Sequence, residues 1–169
     1  QYFGCEIEMT GLTRQQAAEA VASLFGTSAV HSRSSRTYDP WEVTDNEGKT
    51  WRFVYDSSIH GSHRTGRQQV PIGDGDYKVE MNSPKLEYSE MGKLQEVVRT
   101  LRHAGAVVNG SCGMHVHVVR FQAYTAEPEK RPFHYVFQRG YPVQSLKCKR
   151  EPGGTLVPEG AGTHAGENP

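Results

Sequence analysis

The sequence lacks an excess of charge of either sign, a dense set of cysteines and any long apolar run. Its 19 lysines and arginines balance 19 aspartates and glutamates, which argues against a protein that binds nucleic acid by electrostatic attraction. Three scattered cysteines are too few for a disulfide framework and fit a reducing compartment. No apolar stretch approaches the roughly 20 residues of a membrane helix. We therefore expect a cytoplasmic domain that binds neither nucleic acid nor a membrane.

The first strand predicted by the sequence carries two carboxylates on one face. Residues 2–9 alternate, so that the odd-numbered positions from Phe3 to Met9 form an apolar core face. Glu6 and Glu8 then lie on the opposite face, about 7 Å apart. Because neighbouring like charges repel, a cation is expected near them. The alternative is an edge strand whose acidic face is only solvated.

A second predicted strand carries two histidines. The chain here reads Asn109-Gly-Ser-Cys-Gly-Met-His-Val-His-Val118, a loop of small residues followed by an alternating stretch. Alternation places the imidazoles of His115 and His117 on one face. Histidines introduced by a glycine-rich turn indicate a metal or phosphate site, although two histidines on an exposed strand face without a function are the alternative.

Two further strands end in or carry acidic residues. Residues 77–81 predict a short strand with Glu80 on its non-core face, and Pro84 follows soon after to end the pairing. Asp56 follows a strand over residues 50–55. An aspartate there can orient a substrate or simply initiate a turn, and the turn is the simpler interpretation.

The remaining patterns predict two helices and a hairpin. Thr13-Arg-Gln-Gln16 is a capping box for a helix that ends at Gly26, and Ser89 is expected to cap a second helix that ends at Gly105. Their apolar stripes are Ala17, Ala18, Val21, Leu24 and Phe25 in the first, and Met91, Leu94, Val97, Val98 and Leu101 in the second. A turn at residues 45–48 joins two strands as a hairpin. Residues 106–108 are expected to start the strand that leads into the histidines.

The order strand, helix, hairpin, strand, helix, strand predicts an α+β fold, with both helices on one face of a largely antiparallel sheet. Residues 28–40 and 59–76 are predicted to be loops. The second is basic, and it is either a lid over a site or a plain solvated loop.

Three of these strands offer polar groups from the face opposite the core. Carboxylates suit Mg²⁺ or Mn²⁺, and imidazoles shift the preference towards Mn²⁺ or Zn²⁺. A metal site would require the carboxylates of Glu6, Glu8 and Glu80 to converge within about 5 Å of His115. Two cations held there could bridge the oxygens of a nucleoside triphosphate.

Four segments together resemble the amidoligase family of glutamine-synthetase-like carboxylate–amine ligases. They are Phe3-Gly-Cys-Glu-Ile-Glu8, Trp51-x4-Asp56-x-Ser58, Val79-Glu-Met-Asn-Ser-Pro84 and the stretch 109–118, which also resembles Asn-Gly-Ser-Gly-Met-His-x-His of glutamine synthetase. The resemblance spans residues 2–119. It implies a glutamine-synthetase-like sheet and ATP-dependent formation of an amide or isopeptide bond through an acyl phosphate. The implied substrates are a small-molecule or peptide carboxylate and an amine, including cell-wall components, and a homo-oligomer that completes the site is one expectation.

The same resemblance implies roles for individual residues. Glu6 and His115 would hold one Mg²⁺ or Mn²⁺ ion, and Glu8 and Glu80 a second. His117 would contact phosphate, with Ser111 and Gly113 in the same nucleotide-binding loop. Asp56 would face the substrate or the attacking amine as a catalytic residue.

The C-terminal part departs from the family pattern. Relatives continue with an arginine-bearing stretch, for which Arg131 and Arg139 are the only arginines at a suitable distance. We therefore divide the chain into a core over residues 1–120 and a divergent tail over 121–169, rich in proline and glycine, that does not continue the sheet. Disorder is expected from about residue 150. The fold would then be incomplete at its C-terminus, and two alternatives stay open: an inactive remnant that binds metal or nucleotide, and a metal-dependent hydrolase.

Overall fold

A computed structural model gives the fold and describes residues 2–119, 133–137, 148–150 and 156–158. The strands are β1 (Tyr2–Met9), β2 (Ala29–His31), β3 (Trp41–Thr44), β4 (Thr50–Tyr55), β5 (Ser62–Thr65), β6 (Gln68–Pro71), β7 (Val79–Asn82), β8 (Leu86–Glu87), β9 (Met114–Val119), β10 (Phe133–Phe137), β11 (Cys148–Arg150) and β12 (Leu156–Pro158). The helices are α1 (Arg14–Phe25) and α2 (Met91–Ala104), with 3-10 turns at Gly75–Tyr77 and Tyr88–Glu90. The fold is α+β, as the sequence predicts.

The main sheet is antiparallel, in the order β10-β9-β1-β7-β4-β3-β2, with β8 also paired to β1. The helices pack against each other, and α1 also packs against β2, β3 and β4. Their apolar faces close over a core in which Trp51, Phe53, Met81, Val21 and Val97 are fully buried. In this strand order, β1 lies in the interior of the sheet, between β7 and β9. Among the described residues, no helix is long and apolar enough to cross a membrane.

The predicted helix ends are confirmed with one exception. Thr13 and Gln16 form both hydrogen bonds of the capping box, and Gly26 ends α1 with a φ of 66°. Gly105 ends α2 with a φ of 115°. Ser89 does not cap α2, because it lies inside the 3-10 turn that precedes the helix. The capping box there is formed by Glu87 and Glu90.

The predicted apolar stripes pack on the core with one exception. Leu24 of α1 is 39% exposed although it follows the helical spacing, whereas the stripe of α2 packs on the core as expected.

Four segments differ from the sequence-based expectation. The segment 28–40 contains β2, and the basic segment 59–76 contains the β5–β6 hairpin. Tyr77 belongs to a 3-10 turn, so that β7 begins at Val79. Val107 forms an isolated bridge with Thr10, and the strand that bears the histidines begins only at Met114. The short strands β2, β5 and β6 were missed because their largely polar sequences carry no apolar alternation.

The sheet continues past the boundary expected at residue 120. Strand β10 pairs with β9, with Tyr135 opposite Val116, so the expectation that the tail adds nothing to this sheet is wrong for one strand. Strands β11 and β12 form a separate two-stranded sheet. The other tail residues, on which the expectation of disorder falls, lie outside the described ranges, as do Arg131 and Arg139.

Candidate metal and substrate site

The register of the sheet brings four predicted site residues together on β1 and its two neighbours. Glu6 pairs with His115 of β9, and Glu8 pairs with Glu80 of β7. Paired residues of antiparallel strands place their side chains on the same face. This face lies opposite the buried Phe3, Cys5 and Met9, and therefore opposite the helices.

Glu6 contacts both predicted histidines. Its Oε2 lies 3.0 Å from Nδ1 of His115, and its Oε1 lies 3.0 Å from Nε2 of His117. His117 is paired with Gly4, which has no side chain, and its imidazole reaches diagonally to Glu6. All three side chains are about one-third exposed. They form one group with a carboxylate and two imidazoles, which we call the Glu6–histidine group.

A second group consists only of carboxylates. Glu8, Asp56 and Glu80 each place one carboxylate oxygen within 4.8 Å of the others. Asp56 joins them because β4 pairs with β7, with Val54 opposite Glu80. Glu8 is 7% exposed, and Asn82 donates a hydrogen bond of 3.0 Å from Nδ2 to Oε1 of Glu80. We call this set the three-carboxylate group.

Like charge is concentrated in the three-carboxylate group. Burial raises the pKa of Glu80, the hydrogen bond from Asn82 opposes this rise, and the carboxylates of Glu6, Asp56 and Glu8 add to it. Within the part of the chain that the structure describes, no lysine or arginine forms an ion pair with these three carboxylates. Their charge is therefore not balanced by a described basic side chain.

The loop before β9 holds Glu8 in place. Gly113 donates its N–H to Oε2 of Glu8 at 2.8 Å and accepts a hydrogen bond from the Glu8 N–H at 3.0 Å. A Cβ at position 113 would lie 3.6 Å from Oε2, which is an ordinary van der Waals contact, so the approach does not itself require glycine. In this arrangement, the Gly113 N–H binds the carboxylate of Glu8 and would not contact a bound ligand directly.

Ser111 ties the same loop to the segment after β4. Its Oγ accepts a hydrogen bond from the His60 N–H at 2.8 Å and donates one of 2.6 Å to Oδ1 of Asn109. Asn109 in turn donates from Nδ2 to the His60 carbonyl at 2.8 Å. This link between residues 60 and 109–111 was not apparent from the sequence, because it uses the backbone of His60. An open depression beside it is lined by Ser58, His60, Asn109, Gly110 and Ser111.

Asp56 forms the turn that its sequence position predicts, and its carboxylate also approaches two other acidic residues. Its Oδ1 accepts a hydrogen bond from the Ser58 N–H at 2.7 Å, which is a turn stabilised by an aspartate side chain. Its carboxylate also belongs to the three-carboxylate group. The substrate-facing role that the family resemblance implies stays a prediction, and only the pairing of β4 with β7 shows the proximity of Asp56 to Glu8 and Glu80.

The convergence of four residues on one point is not observed. Among the described residues, the only group of three or more close ligand atoms is Glu8, Asp56 and Glu80. Glu6 and His115 are in contact with each other but belong to the neighbouring group. The predicted site residues therefore lie in two adjacent groups on one sheet face.

Fold and site together define an α+β protein with a carboxylate- and imidazole-bearing sheet face. The model of the family described as "Putative amidoligase enzyme" matches residues 1–121. The match covers most of the 169 residues, and the chain belongs to this amidoligase family. The matched range includes both groups of site residues and ends just after β9. No curated protein and no solved structure matches the chain.

Proposed function

We propose that the chain is an ATP-dependent ligase that joins a carboxylate to an amine on a glutamine-synthetase-like sheet. The observation that carries this proposal is the pair of adjacent groups on one sheet face, within a chain whose family is named for amide-forming ligases. Peptides and cell-wall components that offer a carboxylate or an amine are the proposed substrates.

The two groups suit two divalent cations. Carboxylate oxygens are the ligands that Mg²⁺ and Mn²⁺ prefer, and the three-carboxylate group supplies them where Glu8 is buried and Glu80 is crowded by like charge. The second ion would be held by Glu6 and His115. Bound cations would neutralise the charge of ATP while a phosphoryl group is transferred.

The residues of the chain then have separate tasks. Glu8 is oriented by Gly113 and Glu80 by Asn82, so these carboxylates are positioned before substrate arrives. His117 is proposed to contact phosphate, and Ser111 and Gly113 to shape the nucleotide-binding loop. We assign Asp56 to the three-carboxylate group, in place of a direct catalytic contact with the amine, because its carboxylate oxygen lies within 4.8 Å of the other two ligand atoms.

The proposed reaction has two steps. An oxygen of the substrate carboxylate attacks the γ-phosphorus of ATP, ADP leaves and an acyl phosphate forms. The amine nitrogen then attacks the acyl carbon, loses a proton and expels inorganic phosphate. The first step is needed because a free carboxylate is a poor acyl donor.

The test is ADP release by the full chain, supplied with ATP, Mg²⁺ or Mn²⁺ and a mixture of amino acids and short peptides. ADP that appears only when both a carboxylate and an amine are present supports the ligase. Glu8→Gln and His115→Ala should reduce this ADP release at least tenfold. Glu96→Gln is the matched control, because Glu96 is exposed on α2, on the other side of the sheet.

Two outcomes would overturn the proposal. Cation-dependent hydrolysis of peptides without ATP would make the chain a metal-dependent hydrolase. Nucleotide binding that needs Mg²⁺ or Mn²⁺ but yields no ADP under any substrate mixture would make it an inactive binding protein.

A further inference from the structure

The β5–β6 hairpin projects from the main sheet and is anchored only at its base. The Ser62 N–H donates to Oγ1 of the buried Thr10 at 2.7 Å, and the Ser62 carbonyl accepts from Oγ1 of Thr10 and from the Gly11 N–H. Beyond this base, every residue from 64 to 71 is exposed. The hairpin is thus an arm that is hydrogen-bonded at its base and has little of its own surface buried.

The arm is strongly basic in an otherwise neutral protein. Residues 57–73 contain His60, His63, Arg64 and Arg67 and no aspartate or glutamate. Neither arginine forms an ion pair with any residue that the structure describes. Of the acidic residues that follow, Asp76 forms an ion pair with Arg14, and Asp74 accepts a hydrogen bond from the Asp76 N–H. Both guanidinium groups are therefore available to an anion.

The base of the arm adjoins the candidate site. A depression there is lined by His60, Gly61, Pro71, Ile72, Gly73 and Lys78. Lys78 donates from Nζ to the Ser57 carbonyl at 3.3 Å, next in the chain to Asp56 of the three-carboxylate group. His60 also lines the depression beside Ser111. Basic groups thus extend from the edge of the acidic site out to the tip of the arm.

We propose that the β5–β6 hairpin binds an acidic peptide as the carboxylate substrate, with Arg64 and Arg67 contacting carboxylates other than the one that reacts. The part of this inference that makes the bound peptide a substrate rests on the proposed ligase function. The physical reason is charge complementarity. The acidic site alone would repel an anionic peptide, whereas the arginines of the arm beside it would attract the carboxylates of the peptide.

The test uses direct binding, which does not depend on turnover. Fluorescein-labelled hexaglutamate is titrated with the full chain and followed by fluorescence anisotropy, with hexaglutamine as the neutral probe. The R64Q/R67Q double variant should bind hexaglutamate about fivefold or more weakly than the parent chain. The matched control is R33Q/R36Q, which removes two exposed arginines from the 32–38 segment and changes the net charge by the same amount.

The outcomes separate the alternatives. Equal losses in both double variants would show non-specific attraction and overturn the proposal, as would wild-type binding of hexaglutamate no tighter than of hexaglutamine. Once ADP release is established, R64Q/R67Q should raise KM for an acidic peptide but leave KM for ATP unchanged. A raised KM for ATP alone would assign the arm to nucleotide phosphate. Hexaglutamate binding without ADP release would overturn the proposed ligase function and leave the arm as a site that binds acidic peptides.

Discussion

Glu8 and Glu80 are paired directly across β1 and β7, and both point to the side of the sheet opposite the helices. Asp56 brings a third carboxylate to the same place. In a folded protein such a cluster is stable only if the repulsion is relieved by protonation, water or a cation. This relationship leads to the first prediction.

Glu80→Gln should reduce the thermal response of the protein to Mn²⁺ by the part that the three-carboxylate group contributes. Without added cation the variant should melt at the same temperature as the parent chain or slightly higher, because one like charge is gone. A cation at 100 times its Kd stabilises the folded state by about 2.7 kcal/mol. The parent chain should show this contribution from the three-carboxylate group as a shift of several degrees, and the variant should lack it. Calorimetry with and without EDTA measures it. An equal Mn²⁺ response in Glu80→Gln would remove this residue from the cation site.

Asp45 closes the β3–β4 turn and should control stability at acid pH. Its carboxylate is buried and accepts hydrogen bonds from the Lys49 N–H, from Nε1 of Trp51 and from Nζ of Lys93. Burial alone would raise its pKa, but these hydrogen bonds together hold the pKa below the ordinary value. Asp45→Asn should cost roughly 1–3 kcal/mol of unfolding free energy at pH 7, because the buried carboxylate loses its charge-assisted hydrogen bonds, whereas Lys93 keeps its ion pairs with Glu47 and Glu90.

The sign of the pH effect follows from the lowered pKa. The stabilisation is complete above the ordinary carboxyl pKa of about 3.9 and is lost as the pH falls through the lower folded value. Urea midpoints of the parent chain and Asp45→Asn should therefore converge below about pH 4. Glu47→Gln is the control, since Glu47 is 55% exposed, and it should change stability by less than about 1 kcal/mol.

Arg14 joins two distant segments beneath α1. Its guanidinium is almost fully buried, contacts Asp39 at 2.6 Å and Asp76 at 2.8 Å, and donates to the Gly75 carbonyl. Arg14→Ala should lower the unfolding free energy by roughly 2 kcal/mol or more, and Arg14→Lys should recover only part of the loss because one ammonium group cannot reach all three acceptors. Hydrogen exchange should increase around residues 39 and 75. Gln15→Ala, an exposed neighbour on α1, should leave exchange there unchanged.

Cys5 should resist alkylation in the native protein. Burial raises the pKa of its thiol to about 11, and the adjacent Glu6 carboxylate contributes to the rise. Because the thiolate is the reactive form, iodoacetamide at pH 8 should modify Cys5 about 100-fold or more slowly than an exposed thiol. Peptide mapping after timed labelling measures the rate, with urea-unfolded protein as the control. Native labelling as fast as in urea would show that β1 is not buried as described.

Local patterns were sufficient for the helix limits and strand faces. The capping box at Thr13 and the stop at Gly26 depend on residues three or four apart, and the core face of β1 depends on alternation alone. The same alternation correctly placed Glu6 and Glu8 away from the core. Alternation failed for the β5–β6 hairpin, whose polar strands carry no apolar pattern. The helix-cap pattern failed at Ser89, where Glu87 and Glu90 form the capping box instead.

The sequence by itself determined which chemical groups lie on the face opposite the core, because strand geometry assigns each side chain to a face. Only the tertiary structure decided how those groups are divided. Glu6 meets His115 and His117 through the pairing of β1 with β9, whereas Asp56 reaches Glu8 and Glu80 through β4 and β7. Strand neighbours so far apart along the chain are set by packing of the whole sheet, which no local spacing encodes.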